Sequence, residues 1–220
     1  AARLPQLQSR QFVDVLEKIS KAEVHLRDLR SEIVGTVMFD ETYAQRDGLI
    51  TKENHPTFCA GDAGQLIMQP AVMYGGSPFN KNPQTACKAT HHYDLIDPST
   101  LTREWFPNSI FRPGDALGDR CAFDEAVANF TDDHTKVRIT DGFRYAHRRR
   151  SQPGDQRSLI PAIIPPKVTH TDSIYSIWFR DHAMATTFAG SCCSVVFDFL
   201  VKVTGKDNLR MDVIGLMAVL

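Results

Sequence analysis

Arginines recur with strand-like spacing in residues 143–150, whose sequence is FRYAHRRR. Because side chains alternate across a strand, the aromatic side chains of this run can share one face, with Arg144 and Arg148 on the other. An unpaired guanidinium is costly to bury, and this run holds four arginines in eight residues. The pattern therefore predicts a strand that presents its arginines to a polyanion. The alternative interpretation is a solvated edge strand that carries charge.

Further basic residues follow this run and complete the candidate binding set. Lys and Arg bind phosphate groups, and Arg can also make bidentate contacts with guanine in the major groove. Arg148 and Arg150 fall on one face of the predicted strand and Arg149 on the other, so the strand suits either role. The last basic residues lie at a predicted helix end and in the next loop, where solubilising charge is an equally good interpretation. The candidate nucleic-acid-binding residues are Arg144, Arg148, Arg149, Arg150, Arg157, Lys202, Lys206 and Arg210.

Charge is distributed unevenly along the chain. The 220 residues carry a net charge of −1 and are 42% hydrophobic, which suits one domain, or one and a half, with a real core. Residues 1–135 contain 13 Lys/Arg and 19 Asp/Glu, whereas residues 136–210 contain 12 and 6. The first part therefore has a net charge of −6 and the second of +6. A basic C-terminal part is expected where that part meets phosphates.

Cysteine usage and hydropathy indicate a reducing compartment. The five cysteines form no CxxC pair, and Cys192 and Cys193 lie in an apolar run that predicts buried thiols. We find no secretory signal peptide and no apolar stretch long enough to span a bilayer, so we expect a cytoplasmic protein. The sequence starts without Met and stops in an apolar segment, from which we expect a piece of a longer protein.

Periodicity predicts a mixed α/β fold. Residues 5–30 have the apolar stripe of a helix, which we expect to support a twisted, mainly antiparallel sheet. Strands are predicted at residues 65–69, 136–140, 143–150, 159–164 and 174–179. Residues 182–203 predict a C-terminal helix that ends at Gly205 and packs on the sheet. The residues expected to make that packing contact are Phe188, Val195 and Phe199.

Signals for catalysis or for a metal are weak. The chain contains no Gly-rich phosphate loop, no GxSxG and no HExxH motif. Cys87, His91 and His92 have superficially metal-like spacing, but a zinc site needs several converging ligands and no second half matches. A loop with paired histidines is the favoured interpretation. Trp178 is interpreted as a core residue rather than a base-stacking platform.

A series of segments in a fixed order runs through most of the chain. The earlier ones are residues 39–42 (FDET), 46–50 (RDGLI) and 76–81 (GSPFNK), with Cys87, Tyr93 and Asp97. The stronger ones are residues 143–148 (FRYAHR), 156–166 (QRSLIPAIIPP), 170–176 (HTDSIYS), 188–190 (FAG) and 197–206 (FDFLVKVTGK). Their order and spacing resemble the C-terminal target recognition domain of large DNA adenine-N6 methyltransferases of restriction–modification type. That family includes the fused type IIG enzymes and related phage-defence methylases.

The resemblance implies a DNA-binding module whose catalytic half lies upstream of residue 1. The family's Asn/Asp-Pro-Pro-Tyr/Phe motif, which holds the flipped adenine, is absent, since Pro165 and Pro166 lack the required neighbours. The S-adenosylmethionine loop is absent as well, so we expect no catalytic residue, cofactor or metal here and S-adenosylmethionine only in the full-length protein. The implied partners are double-stranded DNA and the upstream methyltransferase domain of the same polypeptide. An enzyme that flips a base needs such a separate surface to hold and choose the DNA.

Two alternatives stay open. A Mg²⁺-dependent nuclease-like domain would need a compact carboxylate cluster, whereas the carboxylates here are scattered. A structural interaction domain of a defence complex, without direct base readout, would show no salt-sensitive affinity for DNA. In the favoured interpretation, residues 1–64 form a helical and connector region and residues 65–220 form the target recognition domain.

Overall fold

Helices and short strands alternate along the chain. The structure, a computed structural model, describes residues 10–53, 58–69, 81–84, 90–115, 117–151 and 156–219. The α-helices are α1 (Arg10–Ser20), α2 (Glu41–Arg46), α3 (Cys121–Ala128), α4 (His182–Cys192), α5 (Val195–Thr204) and α6 (Met211–Ile214). The strands are β1 (Ile33–Thr36), β2 (Ile50–Lys52), β3 (Phe58–Cys59), β4 (Ile67–Met68), β5 (Lys81–Pro83), β6 (Tyr93–Leu95), β7 (Asn108–Ser109), β8 (Phe111–Pro113), β9 (Arg144–Arg148), β10 (Pro161–Ile164), β11 (Thr169–His170) and β12 (Ile174–Phe179).

A four-stranded sheet organises these elements. Its strand order is β1-β12-β9-β10, and every neighbouring pair is antiparallel. Tyr145 of β9 lies opposite Ile177 of β12 on one side and Ile163 of β10 on the other. β9 is therefore an inner strand, paired along both edges. The predicted mixed α/β fold with a mainly antiparallel sheet is confirmed.

Both faces of the sheet are covered by apolar side chains. On one face, Tyr145 and Ile177 pack with Phe188 of α4 and with residues of α5 and α6. On the other face, Ala146 and Ile174 pack with residues from β4 and from the segment before β11. This alternation follows from the two-residue repeat of a strand, and it places consecutive residues of β9 in two different cores.

The predicted strand at residues 136–140 is wrong. Lys136 has a positive φ of 57°, a left-handed conformation that a strand does not accommodate. The segment instead turns into a 3₁₀-helix at Ile139–Asp141, which leads into β9. The strands predicted at residues 143–150 and 159–164 are present in shortened form, and the one at residues 174–179 is confirmed in full.

The predicted helix at residues 182–203 is two helices, α4 and α5, which meet at 73°. The Oγ of Ser194 accepts the N–H of Phe197 at 3.2 Å and starts the second helix. The bend turns Val195 outward, where it is 74% exposed, so its predicted packing on the sheet is wrong. Phe188 is buried as predicted, and Gly205 ends α5 with a φ of 62°. Phe199 packs against Phe12 of α1 instead, with ring centroids 4.9 Å apart and the ring planes tilted by 38°.

The N-terminal part of the chain contributes directly to the central sheet. α1 spans only part of the helix predicted at residues 5–30, and a 3₁₀-helix at Leu26–Leu29 follows it. β1 then forms one edge of the sheet through its pairing with β12. The division proposed at residue 64 is therefore crossed by the main sheet. No single helix among the described residues is long and apolar enough to cross a membrane, although the bent pair α4 and α5 passes that test together.

Gly35 of β1 offers a test of this packing. A Cβ added there would lie 2.2 Å from Oη of Tyr175, which is far inside contact distance. We expect Gly35→Ala to lower the free energy of unfolding by about 1–3 kcal/mol, as overpacking does. The matched control is Gly190→Ala in α4, where no atom beyond the adjacent residues and the backbone of the helix itself lies within 4 Å of the added Cβ. That substitution should raise stability by about 0.5–1 kcal/mol, because alanine favours the helix.

Urea unfolding of the two variants measures both effects. Equal stability of Gly35→Ala and the unchanged chain would contradict the close approach of Tyr175 to β1.

Candidate nucleic-acid interface

Arg144 lies in the interior, so its predicted place on a binding surface is wrong. The residue is 0% exposed because β4 and β11 cover its face of the sheet. Its guanidinium donates hydrogen bonds to the carbonyl oxygen of Val168 and, at 3.5 Å, to Sδ of Met38. Burial lowers the pKa of Arg144 to about 10, and the group stays charged at neutral pH. Among the described residues, its hydrogen-bond partners are therefore one carbonyl oxygen and one thioether sulfur, and no carboxylate pairs with it.

Two buried histidines flank this region, and both are neutral at pH 7. Nε2 of His147 lies 2.9 Å from the carbonyl oxygen of Leu209, and burial lowers the pKa of His147 to about 4. Nε2 of His170 lies 2.7 Å from Oγ of Ser176. Burial, followed by the nearby charge of Arg144, lowers the pKa of His170 to about 3. His170 thus links β11 to β12, His147 links β9 to the loop before α6, and neither ring faces solvent.

Arg149 is also unavailable for binding, which corrects the prediction that it lines a positive surface. The residue is 7% exposed, and its Nη2 donates to Oδ2 of Asp172 at 2.8 Å. Its backbone N–H donates to the carbonyl oxygen of Ser173 at 2.9 Å. Burial lowers the pKa of Arg149, and the charges of Arg210 and Arg150 act in the same direction. Arg149 therefore anchors the end of β9 against the turn before β12.

Three arginines remain available beside this anchor. Arg150 is exposed, and its only ion-pair partner among the described residues, Asp207, lies 3.8 Å away and is itself exposed. Arg148 is half-buried and Arg210 is exposed, and neither forms a salt bridge with a described residue. We refer to Arg148, Arg150 and Arg210 as the arginine cluster, because the two backbone segments that carry them lie side by side. Among the described residues, the exposed Asp207 is its one ion-pair partner, so most of the positive charge of the cluster is unpaired.

Backbone hydrogen bonds hold the arginine cluster together. Arg150 forms an isolated antiparallel bridge with Asn208. The N–H of Leu209 donates to the carbonyl oxygen of Arg149 at 2.8 Å, and the N–H of Ser151 donates to that of Asp207 at 2.9 Å. The end of β9 thus lies beside the loop between α5 and α6. A fixed backbone of this kind positions long side chains more accurately than a free loop does.

Arg157 and Lys202 occupy a separate site, where they surround a buried carboxylate. Asp198 is 5% exposed and accepts the N–H groups of Ser158 and Leu159, each at 2.8 Å. Nε of Arg157 lies 3.5 Å from Oδ1 of Asp198, and Nζ of Lys202 lies 3.3 Å from Oδ2. These two cations are therefore paired with Asp198, where α5 contacts the segment before β10.

The remaining candidate, Lys206, forms an ion pair with Asp212 on the surface. Of the eight residues predicted from sequence, two lie inside, three are paired with carboxylates outside the cluster, and three form the arginine cluster. The structure also places Arg27 and Arg30 beside α6, where they line a cavity with Met211. Sequence reasoning missed these two because they lie in the acid-rich first part of the chain.

The two cysteine predictions have different outcomes. Cys192 is buried as predicted, whereas Cys193, at the bend between α4 and α5, is exposed. Cys87 lies outside the described residues, as do residues 76–80 of the resembling segments. In the part of the chain that the structure describes, no group of three or more His, Cys, Asp or Glu could hold a metal ion. Trp178 is 8% exposed, in agreement with its predicted place in the core.

Comparisons with known proteins add no family assignment. No family model matches the chain, and no curated protein matches it significantly either. The function must therefore be argued from the segments and from the geometry of the arginine cluster.

The two carboxylates beside the arginine run should differ in their effect on stability. Asp172→Ala leaves the buried Arg149 without its counter-ion, and we expect a loss of about 1–3 kcal/mol in the free energy of unfolding. The control, Asp207→Ala, removes only the solvent-exposed partner of Arg150 and should cost less than about 0.5 kcal/mol. Urea unfolding at pH 7 measures both. Equal costs for the two substitutions would contradict the anchoring role of Arg149.

Proposed function

We propose that this chain is the target recognition module of an adenine-N6-specific DNA methyltransferase of a restriction–modification or phage-defence system. It binds double-stranded DNA in the cytoplasm and selects the sequence for a catalytic domain upstream in the same polypeptide. The series of resembling segments supports the identity of the module. The observation that carries the proposal is the arginine cluster, which combines largely unpaired positive charge with a hydrogen-bonded backbone.

The cluster has the chemistry that a DNA duplex requires. A guanidinium donates paired N–H groups to two phosphate oxygens, and the same pair can donate to O6 and N7 of guanine. Arg150 and Arg210 are exposed on adjacent segments joined by the Arg150–Asn208 bridge, so they can contact the same duplex. Arg148 is half-buried at the end of β9, and its reduced freedom suits base readout better than a phosphate contact. Phosphate contacts set the register of the protein on the duplex, and base contacts determine which DNA sequence it selects.

The buried residues of β9 complete this division of roles. Arg144, His147 and Arg149 are buried, and their hydrogen bonds hold the strand in place. S-adenosylmethionine and the flipped adenine belong to the upstream domain, since the motifs that bind them are absent from these residues. The module therefore supplies affinity and sequence choice, and the catalytic domain supplies the methyl transfer.

A salt titration of DNA binding tests the proposal. Fluorescence anisotropy with a labelled duplex should show an affinity that falls steeply with salt. The double substitution Arg150→Gln/Arg210→Gln should weaken binding to all sequences and flatten the slope of log K against log salt by about one unit for each lost phosphate contact. Arg103→Gln is the matched control, because Arg103 is exposed and lies in the loop before β7. Its slope should equal that of the unchanged chain.

Sequence choice is measured in the longer polypeptide by methylation of duplexes altered at single positions. Arg148→Ala should reduce the binding free energy for the cognate site by roughly 1–3 kcal/mol and relax the base preference at one position of that site. Unchanged affinity, salt slope and specificity in all these variants would refute the proposal.

A further inference from the structure

We propose that a second site, the cleft between the 3₁₀-helix Leu26–Leu29 and α6, binds a nucleotide through its phosphate group. The cleft is a cavity of about 370 Å³. Its lining residues include Arg27, Arg30, Ile33, Met211, Asp212 and Leu216. Neither the resembling segments nor the charge asymmetry of the sequence points to this site.

The walls of the cleft are held together by backbone hydrogen bonds. The N–H of Arg27 donates to the carbonyl oxygen of Gly215 at 3.1 Å, and the N–H of Leu26 donates to that of Met217 at 2.9 Å. Leu26 and Met217 are both 0% exposed, so these contacts lie in the core. The cleft is therefore formed by the fold itself, and a ligand does not have to order it first.

The charge of the cleft favours an anion. The side chain of Arg27 is 55% exposed, and its nearest carboxylate, Asp28, lies 4.0 Å away. Arg30 is exposed and forms no salt bridge with a described residue. Asp212, the acidic group in the lining, is already paired with Lys206. Two guanidiniums are thus left to bind a phosphate, whose oxygens match their paired N–H groups.

The apolar lining favours a ligand with a flat ring next to its phosphate. Ile33 is 8% exposed, and Met211 and Leu216 are partly buried, so together they form an apolar surface between the charged walls. Guanidinium planes also stack on aromatic rings. A volume near 370 Å³ is at the small end of ligand pockets, which suits a single nucleotide.

The cleft adjoins the arginine cluster. Met211, which lines the cleft, directly follows Arg210. Its Cε and Oη of Tyr175 both lie close to Gly35, beside the edge of the sheet. The nucleotide can therefore come from a DNA strand that continues past the arginine cluster, or it can be free in solution. The first source rests on the proposed function and the second does not.

The experiment has two arms that separate these sources. Isothermal titration calorimetry with dAMP measures the free nucleotide, and anisotropy with a labelled duplex at several salt concentrations measures the strand. Both arms compare the unchanged chain with Arg27→Gln/Arg30→Gln and with the control Arg103→Gln. Arg30→Gln alone is a second variant, and thermal unfolding checks that each one is folded. Arg27 and Arg30 are exposed, so we expect their unfolding midpoints to stay unchanged.

Two results support the site. In one, dAMP binds the unchanged chain, and the double variant binds dAMP with an affinity at least tenfold lower. In the other, dAMP does not bind, but the double variant weakens duplex binding at least tenfold and flattens the salt slope by about two units. Binding of dAMP without any duplex binding would keep this site and refute the proposed function. If the double variant behaves like Arg103→Gln in both arms, the cleft is not a nucleotide site.

Discussion

The inner position of β9 is the constraint on which the rest of the structure depends. The polar side chains of a strand that is paired along both edges and covered on both faces need hydrogen-bond partners from within the protein. Arg144 and His147 bond to backbone carbonyls and Arg149 bonds to Asp172, although one side-chain nitrogen of each has no hydrogen-bond partner among the described residues. These partners come from the segment before β11, from the loop before α6 and from the turn before β12. β9 therefore joins three distant parts of the chain.

This arrangement explains why only part of the basic run is available for binding. Charge density in a sequence does not distinguish an arginine that anchors a strand from one that meets a ligand. The fold makes that distinction by placing carboxylates next to some arginines. The half-buried Asp172 pairs with Arg149, whereas Arg150, one residue later, stays exposed. The same principle operates at Asp198, where a buried carboxylate holds Arg157 and Lys202. The arginines that remain available to bind a ligand are those without a buried carboxylate beside them.

The sequence predicted features that depend on local periodicity. The β-favouring residues of β12 and the glycine that ends α5 are local signals, and the strand and the helix end that they predicted are both confirmed. The burial of Arg144 and Arg149 could not be predicted, because their partners lie 24 and 23 residues away. The bend between α4 and α5 was missed because the apolar pattern continues through it, although Ser194 is a recognisable N-cap. The cleft was missed because residues 27–30 meet α6 only in the folded chain.

The central claim is that burial divides the arginines into anchors and ligand-binding groups. Phenylglyoxal labelling of the folded chain, followed by mass spectrometry with and without duplex DNA, tests it most directly. Arg144 and Arg149 should stay unmodified in both conditions, because they are buried. Arg150 and Arg210 should react freely and become protected by DNA, whereas Arg103 should react equally with or without it. Rapid modification of Arg144 in the folded chain, or undiminished reaction of Arg150 and Arg210 with DNA bound, would contradict the account.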